Sequence, residues 1–105
     1  MPRYLVERFF DQITDEEMLA AGMRSDQAIQ TEFPEITWEH SHVVVDEDGG
    51  VRTYCVYEAP NEIVVRAHAA RFGAHTIANL FEIVDDITPA IVRDRAQAAG
   101  VSQPS

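Results

Sequence analysis

Apolar positions along the chain recur with a period of two in some blocks and of about 3.6 in others, and the switches between them mark the elements. Residues 3–10, RYLVERFF, put Leu5 and Phe9 on one face of an extended segment and Tyr4, Val6 and Phe10 on the other. This predicts a strand that wants cover on both sides. Thr14-Asp15-Glu16-Glu17 has the form of a capping box, with an acidic first turn suited to the positive end of a helix dipole. Met18, Leu19 and Met23 supply the apolar stripe of the helix that follows. Gly22 weakens that helix near its end, Ser25 is placed to cap a second short turn towards Glu32, and Pro34 stops it. The pattern predicts two helical pieces rather than one.

The densest stretch is residues 36–59, ITWEHSHVVVDEDGGVRTYCVYEA, in which two β-branched and aromatic runs flank the turn cluster 46–50. It predicts a β-hairpin. Asn61 then caps a helix, EIVVRAHAARF, with Gly73 as its stop. Val64, His68 and Phe72 share one face of it, widened by Ile63 and Ala67, so His68 sits on or beside a buried stripe. A last strand is predicted over residues 76–84, and Thr88-Pro89 opens a short helix through Ala99. The order strand, helix, strand, strand, helix, strand is the split βαβ of a ferredoxin-like α+β sandwich, an antiparallel sheet with helices on one face. Residues 1–84 form that domain and residues 85–105 a C-terminal helical tail. The first and third strands are expected at the centre and the His-bearing second strand at an edge. Helices cover only one side of such a sheet, so its other apolar side calls for a second copy in a symmetric homodimer.

Composition narrows the partners. The net charge is −10 and all eight cations are arginine, which argues against nucleic-acid backbones and leaves either cations or plain solubility as the reason for the acidic surface. No apolar run approaches a membrane span and the N-terminus lacks the apolar core of a signal peptide, so a cytoplasmic protein is expected. The single cysteine, Cys55, has no internal disulfide partner and is a buried small hydrophobe, a thiol nucleophile or a metal ligand.

His40 and His42 leave the same face of a strand about 7 Å apart at the backbone and can converge on one divalent ion. The hairpin register decides what joins them. In a three-residue loop with Gly49 left-handed, Asp46 opposes Gly50, His42 opposes Tyr54, His40 opposes Val56 and Trp38 opposes Glu58, while Cys55 lies on the other face beside Ser41. A four-residue loop pairs Val45 with Gly50 and brings Cys55 and Tyr57 to the histidine face. The first register is favoured, with Tyr54 or Glu58 completing the site. His68 is a core residue or orients a ligand from behind, and His75 lies in a loop. There is no phosphate loop, nucleophile elbow or HExxH.

RYLVERFF, W-E-H-S-H, R-T-Y-C-V-Y-E-A-P and R-A-H-A-A-R-F-G, in this order over about residues 2–84, resemble a family of small bacterial domains of unknown function that includes a nickel-binding, ferredoxin-like dimeric protein. The resemblance implies a homodimer that binds nickel or a similar divalent transition metal. Trp38, His40, Ser41, Tyr54, Cys55, Tyr57, Glu58 and His68 match the family's polar pattern. The hairpin reading and the resemblance together draw the expected metal donors from His40, His42, Tyr54, Cys55, Glu58 and His68, with Tyr54 or Glu58 joining the histidines in one register and Cys55 in the other. The alternative function is a small-molecule enzyme of the dimeric α+β barrel type, with a pocket between sheet and helices in which His68 or His40 acts as acid or base.

Overall fold

In the computed structural model, residues 1–72 and 77–101 are described. Their elements run β1 (Arg3–Asp11), α1 (Asp15–Glu32), β2 (Thr37–Val45), β3 (Val51–Glu58), α2 (Glu62–Phe72), β4 (Ile77–Ile83) and α3 (Pro89–Ala98). The sheet is antiparallel, with strand order β2-β3-β1-β4. This is the ferredoxin-like α+β sandwich with a C-terminal helix, and β2 lies at an edge. Gly73 and His75 lie outside the described residues.

The helix caps follow from the residues that open each helix. Thr14 accepts from the backbone N–H of Glu17 at 3.1 Å and Glu17 accepts from that of Thr14 at 3.0 Å, closing both halves of the capping box. Asn61 accepts from the Val64 N–H at 3.0 Å, and Thr88 from that of Ile91 at 3.2 Å with Pro89 following it. Contrary to the expected break, α1 is one helix of 18 residues. Gly22 and Ser25 lie inside it, because tertiary packing of the turn around Ala21, Ser25 and Ile29 outweighs their poor propensity.

The buried stripes are rotated from those expected. Ala21, Ser25 and Ile29 of α1 face the sheet, whereas Leu19 and Met23 are about two-thirds exposed. Small side chains let the helix backbone approach the strands, and the long ones are displaced to its flank. In α2, Val65, His68 and Ala69 are buried and Ile63 is exposed, so the stripe widens to the side opposite Ile63 and Ala67. The core between helices and sheet joins Tyr4, Val6, Ile29, Ile36, Cys55, Tyr57, Ala59 and Val65. Val6 and Val65 are wholly buried, each contributing about 1.5–3 kcal/mol relative to exposure.

The hairpin settles the register. Asp46 donates to the Gly50 carbonyl at 2.7 Å, Gly49 donates back to Asp46 at 3.0 Å, and Gly49 has φ +85°. Val45 opposes Val51, His42 opposes Tyr54, Ser41 opposes Cys55 and His40 opposes Val56. The three-residue loop therefore holds as far as His40. Between His40 and Trp38 the register shifts, and Trp38 opposes Tyr57 instead of Glu58. This β-bulge at Glu39 turns the indole to the helix-covered face, where Trp38 Nε1 donates to Ser41 Oγ at 2.9 Å, and leaves Glu39 bonded to Arg3.

Candidate functional site

On the face of the sheet opposite α1 and α2, His40 and His42 are both exposed, their ring centroids 5.2 Å apart and their planes at 74°. Strand alternation puts both rings on this face, and the bulge begins only beyond His40. Beside them, in the row of His42, the Tyr54 hydroxyl donates to Glu7 Oε2 at 2.7 Å and Asn79 Nδ2 donates to Glu7 Oε1 at 2.7 Å. Arg52 lies 3.6 Å from Glu7 and bonds Asp46 at 3.2 Å. The Tyr54 hydrogen bond, then that of Asn79, holds the Glu7 carboxyl below its ordinary value, and the same Glu7 bond pushes the Tyr54 phenol up. Tyr54 is therefore a neutral phenol committed to Glu7, a weak metal donor as it stands. Glu58 lies on this face, one step along β3 from Val56, the partner of His40. Glu39 is held below the ordinary carboxylate value by its bonds to Arg3, with a smaller contribution from the neighbouring His40. Among the described residues, no three His, Cys, Asp or Glu side chains gather into a group able to hold a metal ion.

Cys55 and His68 lie on the other side of the sheet. Cys55 is buried, its Sγ 3.7 Å from Thr53 Oγ1. His68 is wholly buried, with Nε2 3.2 Å from Ser25 Oγ and 3.3 Å from the Ser25 carbonyl oxygen. A carbonyl only accepts, so Nε2 carries the proton. The rings of Phe33 and Tyr57 stand edge-on to His68 at 5.8 and 5.6 Å. The six candidate donors thus divide into His40, His42, Tyr54 and Glu58 on one face, and Cys55 and His68 on the other.

Burial pushes the His68 imidazole down, which makes stability depend on pH. Since the folded value lies below the unfolded value of about 6.5, the unfolded chain binds more protons, and stability is complete above about 6.5 and falls as pH drops towards the folded value. Denaturant unfolding of the wild type and of His68→Gln at about pH 7.5 and about pH 5.5 checks this: the wild type is expected to lose more stability on acidification than the variant. Equal losses contradict it.

On the helix-covered face α1 and the hairpin border a cavity of about 480 Å³ that opens to solvent. Its walls include Arg8, Met18, Met23, Trp38, Cys55 and Tyr57, and no described histidine lines it. Arg8 is buried, with Nη2 3.5 Å from the Tyr57 hydroxyl. Burial pushes the Tyr57 phenol up to about 12, so it stays neutral. Arg8, Glu7 and Glu39 were not among the sequence candidates. Simple alternation along β1 places Arg8 with Tyr4, Val6 and Phe10 and Glu7 with Leu5 and Phe9, which was the available signal for both. For Glu39 there was none short of the bulge.

A family profile described as nickel responsive protein SCO4226-like matches residues 4–83. The chain belongs to this family. The crystal structure of SCO4226 from Streptomyces coelicolor A3(2) is a structural neighbour of this SCO4226-like chain, with a TM-score of 0.64 at 19% identity over 81% of this chain and 99% of that one. At that identity the likeness establishes the shared fold. No curated protein matches the sequence. The family match ends at the close of β4, before α3. No described helix is long and apolar enough to cross a membrane.

Proposed function

We propose that this SCO4226-like protein is a homodimeric, non-catalytic binder of a divalent transition metal, nickel first, with His40 and His42 as its imidazole donors. The observation that carries this is the exposed pair, with rings 5.2 Å apart on one face of an edge strand. Imidazole suits nickel among the divalent ions, and the family is described as nickel responsive. His40 and His42 supply two imidazoles, and Glu58 of β3 lies on the same face of the sheet. Water or a second copy fills the remaining positions. Tyr54 serves the site by holding Glu7, whereas Cys55 and His68 act in packing.

The same face supports the homodimer. Phe9, Val44 and Phe81 are 43%, 41% and 56% exposed there. A symmetric contact over this face buries them and brings two histidine pairs to one interface. Residues 1–84 make up the functional domain, with 85–105 a helical appendage, in a cytoplasmic protein that acts without nucleic acid or membrane. Protein purified without a His-tag is expected to take up nickel saturably in calorimetry and to run as a dimer in light scattering. A chain that binds no nickel, zinc or copper overturns the metal reading, and a monomer overturns the assembly.

The cavity favours a second reading, a small-molecule enzyme of the dimeric α+β barrel type. Its wall offers the Cys55 thiol and the Tyr57 phenol, and the latter, raised to about 12, is no base at neutral pH. The space supports binding better than acid–base chemistry.

A further inference from the structure

The cavity goes beyond the metal reading, because it lies across the sheet from the histidine pair. Its volume of about 480 Å³ falls within the roughly 300–1,000 Å³ of small-molecule pockets. It exists because α1 presents a bare strip to the hairpin. A Cβ built on Gly22 would meet nothing nearer than Trp38 Cη2, at 3.9 Å. Glycine inside a helix is unfavourable relative to alanine, so the open strip is kept against local propensity. Leu19 and Met23, displaced from the core to the flank of the helix, form an apolar rim.

The chemistry of the walls is asymmetric. Met18, Met23 and Trp38 present apolar, polarisable surface. Arg8, 1% exposed and permanently charged, is the cationic residue of the lining. Its field reaches its surroundings, lowering both His68 and Tyr57 against or alongside the effects of burial. A fixed cation in the wall of an otherwise apolar cavity complements a molecule with a single anionic head.

We propose that the cavity between α1 and the β2–β3 hairpin binds a small apolar monocarboxylate, its body against Met18, Met23 and Trp38 and its carboxylate directed to Arg8. The overall charge of −10 makes this selective in a testable way. Non-specific attraction to the acidic surface favours an amine over a carboxylate, so a carboxylate preference requires a local cation.

Trp38 is the only tryptophan and lines the cavity, so its fluorescence reports occupancy. Octanoate, octanamide and octylamine serve as probes, with calorimetry in parallel. Octanoate is expected to change the Trp38 emission saturably and to bind at least about tenfold more tightly than the amide or the amine. Gly22→Leu, which fills the strip, is expected to weaken octanoate by at least about tenfold while the protein remains folded, and Arg8→Met to bring octanoate to the level of octanamide. Where Arg8→Met fails to fold, Gly22→Leu and the head-group series decide. His40→Ala with His42→Ala should leave octanoate binding intact, which separates this site from the metal reading. No saturable response to octanoate, equal affinity for octanoate and octylamine, or unaltered octanoate binding in folded Gly22→Leu overturns the proposal.

Discussion

Replacing His40 and His42 together by alanine is expected to abolish stoichiometric nickel uptake while leaving the fold in place. Both side chains are exposed on an edge strand, away from the packed core, so the stability change should stay within about 0.5 kcal/mol. Metal affinity depends on donor number and type, and the double variant removes both imidazoles from the open face. Each single variant should retain weakened binding, because one imidazole remains. Cys55→Ser is the decisive companion. Ser41 and Cys55 are partners on the helix-covered face, so the thiol lies across the sheet from the histidines, and the variant should bind nickel as the wild type does. Calorimetry and elemental analysis read both. Undiminished nickel in the double variant would remove the histidine pair from the site, and loss of nickel in Cys55→Ser would mean that the hairpin pairs differently in solution.

What could be read before the structure was mostly local. The Thr14 capping box, the Asn61 and Thr88 caps and the left-handed Gly49 each depend on a few neighbouring residues whose physics does not wait for the rest of the chain. The strand order followed from the order of elements and the chirality of their connections. What failed was decided at longer range. Leu19 and Met23 looked like core positions on a helical wheel, but the distance of α1 from the sheet favours Ala21 and Ser25 there. Both sides of the α2 stripe are apolar, so the wheel alone could not choose Val65 and Ala69 over Ile63 and Ala67. The bulge at Glu39 is a compromise between an indole that buries well beside Tyr57 and a carboxylate that reaches Arg3, and both partners are distant in sequence. The cavity was invisible for the same reason, since it is the space left where these choices do not meet.

Tyr57→Ala is expected to be the most destabilising of the substitutions considered. The side chain is 2% exposed at the junction of the cavity and the core, with its ring 6.3 Å from that of Trp38 and 5.6 Å from that of His68. Truncating a buried aromatic residue removes its transfer free energy and leaves a hole, together about 3–5 kcal/mol. At about 4–8 °C per kcal/mol for a domain near this size, the Tm should fall by at least about 12 °C. Tyr57→Phe separates ring from hydroxyl. The hydroxyl meets Arg8 at 3.5 Å, beyond the usual N–H···O range, so losing it should cost no more than about 1 kcal/mol. Thermal and denaturant unfolding distinguish the two contributions. Similar losses in both variants would place the stabilisation in the Arg8 contact rather than in the aromatic packing. A loss below about 1 kcal/mol in Tyr57→Ala would mean that Trp38 and Met18 collapse into the vacated space, as cores do when a site can relax.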